Sequence, residues 1–368
     1  MVRLIVWILL SIFCFQKINA QNSIPLDTLH WEINAQSYKL ENYKGKDAIY
    51  IKQGLAFLKD TKFLNGTIEF DVYLTEQQGF PGIRFRATDR NNMESFYIRS
   101  HLSGKPDGNQ VAPVINGSTP WQLYFGPKYS FIYNYNYDRW THIKIVVNGQ
   151  RAQVYLDNAR TAHLSWKLIH EPKEGEIAIG GGGSAMYYAN FKINKNEDQI
   201  IDFKPTERTA IEGLISEWEI SDKFEEKRLE DLSIVNALIQ SRKWGEKKIE
   251  VEEGTAANIA RQVILRDVTP GNTVFAKITV DSDKDQIKLF EFGYSDRVVV
   301  ILNNEAIYRG TNKWRSRDYR YLGTIGLFDA VYLNFKKGKN TLLLAVSEDF
   351  GGWLVTGRFP DLKEIKVE

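Results

Sequence analysis

Trp140-Thr141-His142-Ile143-Lys144-Ile145-Val146-Val147-Asn148-Gly149, continued by Gln150-Arg151-Ala152-Gln153-Val154-Tyr155-Leu156, is the stretch that decides the fold. Ile143, Ile145 and Val147 alternate before the Asn-Gly pair, and Ala152, Val154 and Leu156 alternate after it. A period of two puts each set on one face of a strand. Asn-Gly between two such runs predicts a two-residue hairpin, because type I′ turns need positive φ. Residues 67–74 read the same way, with Ile68, Phe70, Val72 and Leu74 on one face and Thr67, Glu69, Asp71 and Tyr73 on the other. Antiparallel strands at this spacing, without helices between them, predict an all-β chain made of antiparallel β-sandwiches.

Working outward, residues 195–209 are polar, end the alternation and include Pro205. They predict a linker over 195–212 between a first unit at 21–194 and a second at 213–368. Strand patterns resume at 272–280, 297–302 and 341–346, and Asn303-Asn304 predicts another hairpin turn. Residues 227–240 carry a helical spacing. The chain of 368 residues suits two domains of this size.

The N-terminus has Arg3, an apolar run over 4–15, and Ile18-Asn19-Ala20 before Gln21. That predicts a secretory signal peptide at 1–20. The run is shorter than the ~20 residues of a membrane span. Phe13 precedes the single cysteine, Cys14, where a lipoprotein would need a small residue. Losing Arg3 and Lys17 from 48 basic residues balances the 46 acidic ones, so no attraction to nucleic acid or anionic membrane is expected. The mature chain would fold without disulfides, which suits secretion or the periplasm and cell envelope of a bacterium.

Candidate site residues follow from strand faces. In 82–86, Ile83 and Phe85 point inward, leaving Arg84 and Arg86 outward; in 95–101, Phe96 and Ile98 point inward, leaving Tyr97, Arg99 and His101 outward. The next segment adds Asn109, Gln110 and Asn116, and then Trp121, Gln122 and Tyr124. Guanidinium and amide groups hydrogen-bond ring hydroxyls, and Trp or Tyr stacks on a sugar's apolar face. The expected ligand is a carbohydrate polymer or glycan, with a uronic or sulfated polymer also suiting the arginines. The pattern equally fits a solvated sheet face. No Gly-x-Ser-x-Gly or His-Glu-x-x-His motif occurs, and the glycines of 180–183 lack the Lys of a phosphate loop. No cofactor is expected beyond a structural calcium ion held by carboxylates and carbonyls, for which no compact Asp cluster names a site.

Phe63-Leu64-Asn65-Gly66-Thr67-Ile68-Glu69-Phe70-Asp71-Val72, the hairpin quoted first, Ile177-Ala178-Ile179-Gly180 and Ala189-Asn190-Phe191-Lys192-Ile193 together resemble concanavalin A-like lectin/glucanase jelly rolls over 26–194. The resemblance implies a fold that hosts many activities. Its laminarinase-type hydrolases carry Glu-x-Asp-x-x-Glu; Glu69 and Asp71 match, but the third carboxylate is Leu74. Retaining hydrolysis needs a nucleophile and an acid, so that activity does not carry over. A second branch, the 3-keto-disaccharide hydrolase-like group, shares the secreted single-jelly-roll layout.

Residues 213–368 resemble a galactose-binding-domain-like jelly roll, through Phe292-Gly293-Tyr294-Ser295-Asp296-Arg297 and Lys337-Gly338-Lys339-Asn340-Thr341-Leu342. There, 314–321 and 349–353 concentrate arginines, aromatics and glycines, making Trp314, Arg315, Arg317, Tyr319 and Trp353 second-domain candidates. The alternative is that the arginines pair with Asp296 or Asp318 and the rings pack the end of the sandwich. The leading expectation is an exported, lectin-like carbohydrate-binding protein. A secreted hydrolase or lyase would be marked by an acid with a raised pKa, and an envelope interaction module by a dry apolar patch.

Overall fold

The computed structural model describes residues 23–313 and 318–368. The expected signal peptide and Trp314, Arg315 and Arg317 lie outside the described residues. The first unit contains β1 (Trp31–Tyr43), β2 (Lys46–Leu58), β3 (Gly66–Leu74), β4 (Gly82–Asp89), β5 (Asn92–Ile98) and β6 (Asn109–Val111). It continues with β7 (Arg139–Asn148), β8 (Arg151–Leu156), β9 (Leu164–Lys167), β10 (Glu176–Gly181) and β11 (Met186–Asn194). All pairings are antiparallel, in the order β6-β5-β4-β10-β2-β11-β3-β7-β8-β9, with β1 also on β2.

The sheet folds over on itself because β2 belongs to both layers. Its second half pairs with β10 and its first half with β11, and the change comes at Gln53 and Gly54. Gln53 is left-handed (φ 45°), and a Cβ on Gly54 would lie 2.3 Å from Ala35 on β1. Only glycine lets the two backbones approach this closely. The layers enclose one core of Ile68, Phe70, Val72 and Leu74 against Ile83, Phe85, Phe96, Ile98 and Ile179, with Ile143, Ile145 and Val147 beside them. The period-two reading of 67–74 and 141–147 therefore holds residue for residue.

The hairpin differs in one detail. Asn148 pairs with Arg151, so the turn residues are Gly149 and Gln150, and only Gly149 (φ 58°) is left-handed. Glycine alone at the first turn position fits a type II′ turn rather than the expected I′. At Asn303-Asn304 both residues are left-handed (φ 49° and 72°), as type I′ requires.

The second sheet, from Glu217–Ile220 to Ile365–Val367, is also entirely antiparallel. It closes around Trp218, Phe290, Phe292, Val300, Leu344 and Trp353. Between Asn194 and Glu217 there is no strand or helix. The helix expected over 227–240 shrinks to Val235–Gln240, preceded by two 3-10 turns. Among the described residues no helix is long and apolar enough to cross a membrane.

On the outer face of β3 and β7, register sets Asp71 opposite His142. His142 Nδ1 lies 2.7 Å from Asp71 and Nε2 lies 3.1 Å from Glu69. The second oxygen of Asp71 accepts from Lys46 (2.7 Å) and Asn190 (2.6 Å). These bonds to Asp71 and Glu69 raise the His142 pKa to about 9. Burial pushes Asp71 upward, but bonds from His142, Lys46 and Asn190 outweigh it and hold the carboxyl below its usual range.

A histidine whose folded pKa exceeds its unfolded value stabilises fully below the unfolded pKa and loses that contribution as pH rises through the folded one. The cluster therefore contributes on the order of 3 kcal/mol near pH 6, fading as pH passes about 9. His142→Gln should lower the melting temperature at pH 6 and leave little difference at pH 10. Thermal unfolding of both proteins at the two values checks this; an equal gap at both would contradict it.

Candidate functional site

Two cross-strand rows form the outer face of β4 and β5. One runs Leu55–Gly180–Gly82–Tyr97–Gln110, and the next runs Phe57–Ala178–Arg84–Ser95. Arg84 thus has only a methyl or a hydrogen at Ala178, Gly180 and Gly82 beside it. Its guanidinium is surrounded by protein, yet solvent still reaches part of it. Burial lowers its pKa, and its charged-group neighbours are only the hydroxyls of Tyr188 and Tyr97.

Arg99 is the opposite case. It is 2% exposed and donates to Asp107 Oδ1 (2.6 Å), the Tyr97 hydroxyl (3.0 Å) and Gln110 Oε1 (2.6 Å). Tyr97 donates to the same Gln110 oxygen (2.6 Å), and Gln110 Nε2 donates to the carbonyls of Trp121 (2.9 Å) and Tyr124. Asp107 Oδ2 accepts the Leu322 amide (2.7 Å) from the second unit. Every group in this chain is satisfied by protein except Arg99 Nε.

The expected site residues therefore separate. Arg84, His101, Asn116 and Trp121 keep solvent contact. Tyr97, Arg99 and Gln110 are the locked layer beneath. Arg86 leaves the face altogether: it is left-handed (φ 51°), a bulge puts Ala87 in its place, and its guanidinium turns to Leu64 O (2.7 Å) and Gly149 O (2.8 Å). Asn109 is fully buried and bonds the Phe131 backbone.

Asn116, Gln122 and Tyr124 reach across to the second unit. Asn116 donates to Ala260 O (2.8 Å), Gln122 accepts from Gly352 N (3.0 Å), and Tyr124 donates to Glu252 (2.5 Å). Residues 121–124 form a turn. The Trp121 ring tilts against Phe350 with centroids 5.4 Å apart, and Arg266 lies 5.0 Å above Phe350. In the second unit, Tyr319 is 96% exposed, while Trp353 is fully buried and bonded to Val346 O (3.0 Å). Trp353 is a core residue, which corrects its place among the ligand candidates.

His101 lies in a 3-10 turn past the end of β5, edge-on to Phe80 at 5.7 Å. Its Nδ1 is buried without a partner. Burial and then the Arg99 charge lower its pKa, so the ring is neutral at pH 7. Four carboxyls have raised values: burial raises Asp107, against the opposing Arg99 charge, and Asp296, and it raises Glu348 and Glu94 further. Burial and the neighbouring Asp296 hold Glu348 well above the usual carboxylate range, and burial holds Glu94 at about 7. Glu348 is 0% exposed and bonded by Ser295 and Phe350 N, and Glu94 accepts the amides of Ile169 and His170. Glu348 and Glu94 are both buried and held by protein donors. Sequence reading also missed the Glu69–His142–Asp71 cluster, because only the register of β3 on β7 brings its members together. Among the described residues no metal-holding group of His, Cys, Asp or Glu occurs.

The face belongs to a recognisable domain. Residues 26–194 match the family of 3-keto-alpha-glucoside-1,2-lyase-like domains. This span coincides with the jelly roll read from the sequence. No curated protein matches the chain. Among solved structures, the chain is similar to the family 66 carbohydrate-binding module from Bacillus subtilis, with 15% identity, 44% of this chain and 93% of that one covered, and a TM-score of 0.36. The Bacillus licheniformis beta-glucanase follows at 10% identity, 45% and 92% coverage, and a TM-score of 0.33. Domain 4 of an extracellular arabinanase from Geobacillus stearothermophilus has 12% identity, 45% and 80% coverage, and a TM-score of 0.30.

The two arginines should respond oppositely to substitution. Arg99→Gln leaves Asp107 buried without its cation, and losing one partner of a buried pair costs roughly 3–5 kcal/mol. Arg84→Gln removes a desolvated charge that has no anion, so its melting temperature should equal or exceed that of the unsubstituted protein. Differential scanning calorimetry of both variants tests the contrast; similar losses would refute this division of roles.

Proposed function

We propose that the protein binds carbohydrate on the outer face of β4 and β5, and that it works outside the cytoplasm after losing its first twenty residues. The observation that carries this reading is the arrangement around Arg84. Arg84 keeps partial solvent contact on that face, and its cross-strand and same-face neighbours Gly82, Ala178 and Gly180 carry no polar side chain to pair with it. The layer below is locked, so the site is pre-organised and little ordering is lost on binding. Trp121 and Phe350 supply aromatic surface at the seam between the two units. The family match at 26–194 supports a sugar as the ligand. The second unit, read as a galactose-binding-like sandwich, would then act as one wall of the site.

The test uses residues 21–368 in affinity gels containing neutral, uronic and sulfated polysaccharides. Retardation by at least one polymer is expected, weakened roughly tenfold by Arg84→Ala, a loss of ~1.4 kcal/mol. Free migration through every gel would overturn the reading.

A second reading is favoured by the family description itself. A 1,2-elimination on a 3-keto glycoside breaks C2–H and C1–O, forms a C1=C2 double bond and releases the aglycone as an alcohol. A neutral imidazole such as His101 could take the C2 proton and return it to the leaving oxygen, while Arg84 stabilises the enolate. Aglycone release from a 3-keto glycoside, abolished in His101→Ala, would favour this reading over simple binding.

A further inference from the structure

Arg84 differs from the other arginines. Among the described residues, each other arginine that is buried or partly buried has a strong acceptor. Arg99, Arg242, Arg297 and Arg358 have carboxylates, namely Asp107, Asp222, Glu226 with Asp349, and Glu291. Arg86 and Arg208 each hold two backbone carbonyls, and Arg208 bonds those of Leu123 (2.7 Å) and Phe125 (2.8 Å). Arg84 has one long contact, 3.4 Å to the carbonyl of its neighbour Ile83.

Among the described residues, no surrounding side chain accepts a bond from Arg84. Gly82, Gly180 and Ala178 have no acceptor on their side chains. The Ser95 hydroxyl donates to Ala112 O (2.5 Å), and the Tyr97 hydroxyl is committed to Gln110 and Arg99. The Tyr188 hydroxyl is engaged with the Gly82 amide (3.2 Å). An enclosed cation without an anion is unfavourable, and a guanidinium fork best fits a planar or tetrahedral oxyanion held through two N–H groups. A neutral sugar can offer hydroxyl oxygens but leaves the charge uncompensated.

We propose that Arg84 is the anchor for an anionic sugar, and that this protein selects acidic glycans carrying carboxylate or sulfate groups over neutral ones. The inference rests on the carbohydrate-binding reading and narrows it to a charge class. In the bound state the oxyanion pairs with the Arg84 guanidinium, which thereby gains the partner it lacks in the free protein. Selectivity arises there because a neutral ligand must desolvate the site without pairing its charge.

Isothermal titration of residues 21–368 with oligogalacturonate, a sulfated oligosaccharide and a neutral oligoglucan tests it, and separates carboxylate from sulfate. Expected is binding of one acidic ligand roughly tenfold or more tighter than the neutral one. Arg84→Gln should erase that preference, bringing acidic affinity down to the neutral level, and Arg84→Lys should restore part of it. Calorimetric melting confirms that each variant is folded. Neutral binding as tight as acidic binding, or an acidic preference that survives Arg84→Gln, overturns this inference while leaving carbohydrate binding intact. Absence of heat with every sugar overturns both.

Discussion

The pairing of Arg99 with Asp107 is the interaction on which the rest of the first sandwich's outer face depends. Both side chains are almost fully buried, and their bonding positions other than Arg99 Nε reach to something further away. Through Tyr97 and Gln110 the pair holds the carbonyls of the turn at Trp121, and through Asp107 it holds the Leu322 amide. A desolvated ion pair is weak evidence for net stability, since burial offsets most of the attraction. Its effect here is on geometry. Few alternative arrangements satisfy a guanidinium, a carboxylate, a phenol and an amide at once, so the face and the seam are tied to one register.

The seam between the two sandwiches follows from that tie. Arg208, in the segment joining them, bonds the carbonyls of Leu123 and Phe125 on one side and the Thr255 hydroxyl on the other. Lys128 pairs with Glu253 (2.6 Å), and the turn at 121–124 lies against the glycines at 351 and 352. The polar residues of this turn therefore spend their bonding capacity on the neighbouring unit. What remains open to solvent is a smaller set, with Arg84 the member whose charge is unmatched. Proteins commonly accept such a local loss of stability where a ligand is to be bound.

Strand alternation carried the fold and part of the site. Ile83, Phe85, Phe96 and Ile98 point into the core as period two requires, which leaves Arg84, Tyr97 and Arg99 on the other face. The rule failed where the backbone departed from a regular strand. A left-handed Arg86 slips the register by one residue and sends its side chain to another layer. The strand expected through His101 gives way to a 3-10 turn after Ile98. Trp353, preceded by two glycines, resembles an exposed platform in sequence, yet it fills the second core and its indole N–H donates to Val346 O.

Local pattern alone was enough for the all-β class, the hairpins and the inward residues of each strand. These depend on the two-residue repeat and on turn chemistry, which act between near neighbours. Which outward residues stay available was decided by contacts from about 70 to more than 200 positions apart. Gln122 meets Gly352, Asp107 meets Leu322, and His142 meets both Glu69 and Asp71. A side chain's direction is a property of its own strand, whereas its burial and its partners belong to whatever is packed against that strand. Arg84 was legible as an outward arginine, and only the tertiary structure left it as the enclosed arginine without an anion.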